Sequence, residues 1–83
     1  MTQAEATHLR NRVVRAGWTW IDEPGLNDRG FWEIEFKPSG KDPLLAYARD
    51  RQVHSDTDER EFIMDLERSI ALALMPTRTA DRV

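Results

Sequence analysis

The chain has 83 residues, of which 33% are charged and 40% are hydrophobic, and its formal net charge at pH 7 is −3. This length allows one small domain with a thin core, and the absence of cysteine excludes disulfides, thiolate metal sites and cysteine nucleophiles. The mild acidity argues against a general attraction to nucleic acid or to anionic membranes, because phosphate binding needs a surplus of positive charge.

No segment of the chain is apolar enough to cross a membrane. A span needs roughly 20 consecutive apolar residues, whereas the longest apolar run covers residues 70–75. The polar N-terminal residues also lack the pattern of a signal peptide. We therefore expect a cytoplasmic protein without a membrane partner.

The first predicted element is a helix over residues 3–16. Apolar residues recur at spacings of three and four between Ala6 and Ala16, which is typical of a helix with one buried face. Gly17 follows in the position where helices commonly end. A helix this short needs a sheet to pack against.

Three strands are predicted next. Aromatic and β-branched residues alternate over residues 18–22, and within the strand 31–37 apolar and polar side chains alternate from Trp32 to Lys37, as in half-buried strands. A turn-rich segment over residues 24–30 joins these two strands. Residues 44–49 also suit a helix, because Asp42 offers a favourable helix cap. We assign a strand there, since a third strand gives the helices a wider surface to cover.

The last predicted element is a helix from Asp56 to Met75. Asp56 and Glu59 form a pair similar to a capping box at its start, and its apolar residues form one inward stripe. We expect residues 77–83 to be a flexible tail. A single α+β domain would then span residues 1–76.

The predicted order of elements is helix, three antiparallel strands and helix. This α-β-β-β-α order describes a two-layer α+β fold, a three-stranded antiparallel sheet flanked by N- and C-terminal helices. It resembles the order in double-stranded-RNA-binding domains, which place lysines at the start of the second helix. The corresponding residues here are mainly acidic: Asp56, Asp58, Glu59, Arg60 and Glu61. Because phosphates would be repelled, we predict no binding of duplex RNA.

The three tryptophans permit two interpretations. Exposed rings would suit a platform for stacking sugars or bases, whereas buried rings would each contribute about 150–250 Å² to a core that has few other large residues. We assign Trp18, Trp20 and Trp32 to the core. Ile21 would then point outward as a candidate contact residue.

No motif for catalysis, a metal or a cofactor is present. Residues 54–56 hold the residue types of a hydrolase triad, but three consecutive side chains rarely reach the geometry that this chemistry needs. We interpret Ser55 and Asp56 as helix caps instead. Two histidines without cysteine argue against a zinc site, and no glycine-rich phosphate loop occurs. The prediction is a protein that is not an enzyme and uses no cofactor.

Acidic residues concentrate in two segments. Six acids stand against one arginine over residues 55–67, and five stand against one over residues 22–35. Such ladders of carboxylates, spaced about 5–7 Å apart, can occupy a basic groove on another protein, or they can serve solubility alone. The predicted partner-binding residues are Glu33, Glu35, Asp58, Glu61 and Asp65.

The end of the second helix is a second candidate contact. Residues 70–75 are apolar all round, whereas a helix that lies on one sheet needs only a stripe. Leu72 and Met75 are therefore exposed, or they contact a partner or a second copy of the chain, or the first helix covers them.

In general character the chain resembles the small, acidic, cysteine-free proteins of phages and mobile elements, of which anti-CRISPR inhibitors are the best known. The resemblance implies steric blocking of the basic nucleic-acid site of a CRISPR surveillance complex. The leading prediction is thus a binding protein that covers a basic groove of a partner. The alternatives are an assembly protein that dimerises through Leu72 and Met75, and direct nucleic-acid binding through Arg10, Arg12 and Arg15.

Overall fold

The computed structural model describes residues 1–20 and 22–75. Its elements are α1 (Gln3–Asn11), β1 (Thr19–Trp20), β2 (Gly25–Leu26), β3 (Phe31–Lys37), β4 (Leu44–Arg49) and α2 (Asp56–Leu74). The predicted α+β fold with the order helix, antiparallel sheet and helix is confirmed. Within this part of the chain no helix is long and apolar enough to cross a membrane. The predicted contact residue Ile21 and the predicted tail 77–83 lie outside the described residues.

Helix α1 is shorter than predicted. A complete capping box starts it, because Thr2 Oγ1 accepts from the Glu5 N–H at 3.1 Å and the Glu5 carboxylate accepts from the Thr2 N–H at 2.8 Å. The prediction of a helix up to residue 16 is wrong, since α1 ends at Asn11. Two consecutive β-branched valines follow, which favour helix poorly. Val13 lies in a turn after the helix and is nevertheless buried. It therefore continues the apolar pattern of α1 because it packs in the core, although it is not helical.

The sheet is built around β3. On one side β3 pairs with β4 over six residue pairs, and on the other side it pairs with β1 near its end and β2 near its start. Four residues separate Trp20 from Gly25, but only two separate their partners Phe36 and Glu33. Two short strands, β1 and β2, therefore pair with β3 in place of the one predicted strand over residues 18–22. The second of them, β2, lies inside the segment that was predicted to be a turn.

The core lies between one face of the sheet and both helices. The strands contribute alternate residues, as the period of two predicts. Its buried apolar members are Ala6, Leu9 and Val13 from the N-terminal segment, Trp32, Ile34, Phe36, Ala46 and Ala48 from the strands, and Phe62, Leu66 and Ile70 from α2. The predicted inward faces of β3 and α2 are confirmed.

The tryptophan interpretation is confirmed for Trp32 and in part for Trp18. Trp32 is 4% exposed. Trp18 is half-buried against the core, and its ring centroid lies 4.9 Å from that of Phe36. Aromatic burial of this kind supplies much of the apolar area in a small core.

The predicted cap of α2 at Ser55 is confirmed, whereas the predicted pair of Asp56 and Glu59 is wrong. Ser55 is the N-cap, and its hydroxyl accepts from the Asp58 N–H, while the Asp58 carboxylate accepts from the His54 N–H at 2.8 Å. The predicted pairing of Asp56 with Glu59 is therefore shifted by one residue. The shift follows from the extended backbone of Ser55, which places Asp58 in the third helical position.

Residues 44–49 form a strand, as predicted, despite their helix-favouring composition. Ala46 and Ala48 are buried, and their small side chains let α2 approach the strand. The Tyr47 N–H donates to Ser69 Oγ of α2 at 2.8 Å. Because this main-chain group of the edge strand is occupied, α2 limits pairing of β4 with another strand.

Asp50 joins the core to the first residue of the chain. Its Oδ1 accepts from Trp32 Nε1 at 2.9 Å and from the Met1 ammonium at 3.1 Å. The hydrogen bond from Trp32 is the largest cause that lowers the pKa of Asp50, against an opposing effect of desolvation. Since the pKa of Asp50 is lower in the folded state than in the unfolded state, the ionised carboxylate stabilises the fold at pH values above the ordinary aspartate pKa. That stabilisation is lost as the pH falls through the folded-state value.

We therefore expect the variant Asp50→Asn to lose less stability in acid than the wild-type protein. Its amide oxygen still accepts from the indole of Trp32, but it has no carboxylate to protonate. Between about pH 4 and pH 2, the Tm of the wild type should fall more steeply than that of the variant. Thermal unfolding followed by circular dichroism checks this, and parallel slopes would contradict it.

Candidate functional site

The sheet presents one face away from the two helices. Lys37, the last residue of β3, lies on this face beyond Glu35. We call the remainder the open face and define it by Phe31, Glu33 and Glu35 of β3 and by Leu45, Tyr47 and Arg49 of β4. These residues are cross-strand neighbours, because the register pairs 31 with 49, 33 with 47 and 35 with 45. The alternation that buries one side of each strand places these side chains on the other side.

The open face has an apolar and aromatic centre. Leu45 is 47% exposed and Tyr47 is 40% exposed. Phe31 is half-buried, and the guanidinium of Arg49 lies 5.9 Å from its ring centroid. Apolar and aromatic side chains grouped on an uncovered face are typical of interaction surfaces.

One end of the open face is acidic. We call Asp22, Glu23, Glu33 and Glu35 the acidic edge; they line a cavity of about 230 Å³ together with Leu45. A hydrogen bond with Asp22 is the largest cause that raises the pKa of Glu35, and desolvation and the charge of Asp22 add to it. The direction of this pKa shift reflects the closeness of the Asp22 and Glu35 carboxylates.

The two predicted contact residues on β3 have no cation of their own among the residues that the structure describes. Glu33 accepts from Asn27 Nδ2 at 3.0 Å, which is a neutral donor. No lysine or arginine nitrogen lies within 4 Å of the carboxylate of Glu33 or Glu35 over residues 1–20 and 22–75. Neither carboxylate therefore forms a close ion pair within that part of the protein.

The predicted contact residues on α2 are placed differently. Arg51 bridges two of them, since its guanidinium pairs with the Glu61 carboxylate and lies 3.1 Å from Asp65 Oδ2. Arg68 lies 4.0 Å from the other oxygen of Asp65. The third, Asp58, caps the helix, and the hydrogen bond from the His54 N–H is the largest cause that lowers its pKa. All three acids have partners inside the molecule.

The other end of the open face is basic. A cavity of about 360 Å³ lies along the edge where α2 packs against β4, and we call it the arginine groove. Its lining includes Phe31, Tyr47, Arg49, Arg51, Asp65, Arg68 and Leu72. This groove was not predicted from the sequence, because its three arginines come from β4, the following loop and α2. No local pattern in the sequence brings those residues together.

Leu72 and Met75 are both exposed in the described part of the chain, at 63% and 57%. The alternative that α1 covers them is therefore wrong for that part. Leu72 lines the arginine groove, whereas Met75 lines a separate cavity that includes Lys41 and Asp42. Leu72 and Met75, the two predicted dimer contacts, therefore line two different cavities.

The serine of residues 54–56 takes part in a helix cap. The Ser55 hydroxyl serves as the cap of α2, and Asp58 completes that cap. Over residues 1–20 and 22–75, no group of three or more histidine or carboxylate side chains is arranged to hold a metal ion.

Comparison of the chain with models of protein families, with curated protein sequences and with solved structures finds no match.

Proposed function

We propose that this protein is a non-enzymatic binding module whose open face blocks a basic surface of another protein. The acidic edge would form ion pairs with that surface, and Leu45 and Tyr47 would be buried at the centre of the contact. An inhibitor of the anti-CRISPR type would act in this way, by covering the nucleic-acid site of a CRISPR surveillance complex in the cytoplasm. The proposal includes no direct contact with nucleic acid and no cofactor.

One observation supports the proposal above the others: Glu33 and Glu35 lie on an uncovered face without an internal cation in the described part of the chain. Lysine or arginine side chains of a partner would compensate these charges, raise the association rate and make binding sensitive to salt. The helix acids Glu61 and Asp65 would contribute less, because Arg51 already binds them.

Reversing the two strand charges provides the test. We expect the variant Glu33→Lys/Glu35→Lys to fold normally, because both side chains point away from the core, and to lose capture of the partner by at least about tenfold. The immobilised protein is exposed to host lysate at low salt, and bound proteins are quantified by mass spectrometry. The partner is then purified, and its affinity for both proteins is measured by calorimetry.

The matched control is Asp42→Lys/Glu67→Lys, which changes the net charge equally at two exposed positions outside the open face. It should retain capture. Equal loss in the control, equal capture by the strand variant, or no specific capture by the wild type would each contradict the proposal. A partner whose contact surface is acidic would also contradict it.

The exposure of Leu72 and Met75 favours a second candidate function, that of an assembly protein. In this version the chain dimerises through the end of α2, and the acidic residues serve solubility. It requires both side chains in one contact, although they line different cavities.

A further inference from the structure

The open face carries opposite charges at its two ends. Arg49 stands at one end beside the exposed Arg68, and Glu35 stands at the other end beside Asp22. Arg49 lies four positions after Leu45, the neighbour of Glu35, which corresponds to about 13 Å along the strand. The face therefore carries a positive group and a negative group at this distance, and Lys37 lies beyond Glu35 on the same side of β3.

The positive end is available for an external carboxylate. Arg49 contacts the Phe31 ring and makes no ion pair within 4 Å over residues 1–20 and 22–75. Arg68 is 69% exposed and lies only at the limit of an ion pair with Asp65. Guanidinium groups without a close internal ion pair bind external carboxylates well, because the planar group donates to both carboxylate oxygens.

We propose that the open face binds the open face of a second copy of this chain, with Arg49 and Arg68 of one copy against Glu35 and Asp22 of the other. A two-fold axis that runs across the strands reverses the strand direction, so each acidic end meets a basic end. Leu45 and Tyr47 then pack at the centre between two sheets at a spacing of about 10 Å.

A second copy complements both ends of the open face at once. A basic protein surface pairs with the acidic edge alone and leaves Arg49 and Arg68 without an external carboxylate. Nucleic acid suits the basic end alone, and its phosphates would be repelled by Glu33 and Glu35. A second copy presents carboxylates to the basic end and guanidinium groups to the acidic end.

This dimer differs from one formed by the end of α2. Leu72 would be partly covered at the rim of the contact, because it lines the arginine groove, whereas Met75 would stay exposed. The inference does not depend on capture of a basic partner. If both associations occur, they compete, since each uses Glu35.

The test is a charge swap measured by analytical ultracentrifugation of the purified chain at low salt. We expect the wild type to dimerise in a concentration-dependent manner below about 1 mM, as weak dimers do, and to dissociate as salt is added. Arg49→Glu and Glu35→Arg should each weaken dimerisation by about tenfold, and the double variant should restore it to within about threefold.

Whether Glu35→Arg weakens or strengthens dimerisation distinguishes a specific ion pair from repulsion between the net charges of two copies. This variant brings the net charge from −3 to −1, which would strengthen association if overall repulsion were the cause. The controls Arg60→Glu and Glu67→Arg make the same charge changes at exposed positions of α2 that do not line the arginine groove. They should leave dimerisation unchanged.

Three outcomes would overturn the inference. They are a wild type that stays monomeric up to about 1 mM, a double variant no stronger than the single variants, and a dimer that survives both single variants but is lost in Met75→Glu. Circular dichroism of every variant at the same concentration establishes that it is folded. Because no partner is present in these measurements, their failure leaves the test of partner capture independent.

Discussion

Replacing Trp32 with alanine is expected to lower the free energy of unfolding by about 3–5 kcal/mol, the range observed for large aromatic residues in cores. Trp32 is 4% exposed and belongs to the buried core cluster. The indole N–H also donates to Asp50 at 2.9 Å, so the substitution removes packing and a hydrogen bond together. A domain of this size has little stability to spare, since small domains bury a limited fraction of their surface.

Urea denaturation followed by fluorescence of the other tryptophans and by circular dichroism measures this loss. The control Leu45→Ala removes an apolar side chain that is 47% exposed, and it should change stability by less than about 1 kcal/mol. Trp32→Phe should lie between the two, because it keeps most of the packing and loses the donor. A Trp32→Ala protein as stable as the wild type would show that the ring does not hold the core.

Replacing Arg51 with alanine is expected to cost about 1–2 kcal/mol. Arg51 connects the loop after β4 to α2 through Glu61 and Asp65, and without it these two acids repel each other at helical spacing. The expected loss is smaller than that for Trp32. Its Nε is buried without a hydrogen-bond partner in the described part of the chain, so the desolvation of the guanidinium is incompletely offset.

A double-mutant cycle of Arg51→Ala with Asp65→Ala separates the ion pair from loss of the arginine stem. We expect a coupling energy of about 0.5–2 kcal/mol. Arg68→Ala is the control, since Arg68 is 69% exposed and stands 4.0 Å from Asp65; it should change stability by less than about 0.5 kcal/mol. A coupling energy near zero would mean that the contact between Arg51 and Asp65 does not stabilise the fold.

The elements with strong periodicity were predictable from the sequence. The alternation over residues 32–37 predicts both the strand and its buried face, and the apolar stripe of α2 predicts its orientation. The N-terminal helix was overestimated because a buried Val13 continues the helical spacing after the helix has ended. The spacing of apolar residues indicates which side chains are buried, and in this segment Val13 is buried in a turn and not in a helix.

The candidate site was predictable only in part, because the sequence shows which residues are acidic and not which acids have partners. Glu33 and Glu35 were placed correctly on the face opposite the core. For Glu61 and Asp65 the deciding residue is Arg51, which lies in a loop ten or more positions away. Only the packing of α2 against β4 brings its guanidinium between them.

The sequence by itself determined the class of fold, the buried faces of β3 and α2 and the overall acidity, because these follow from composition and from spacing along one segment. Only the tertiary structure decided which charges are compensated and where opposite charges meet. Arg49, Arg51 and Arg68 belong to three different segments, and the register of β4 and the packing of α2 place them around one groove. Electrostatic partnership depends on distances through space, which a linear pattern does not contain.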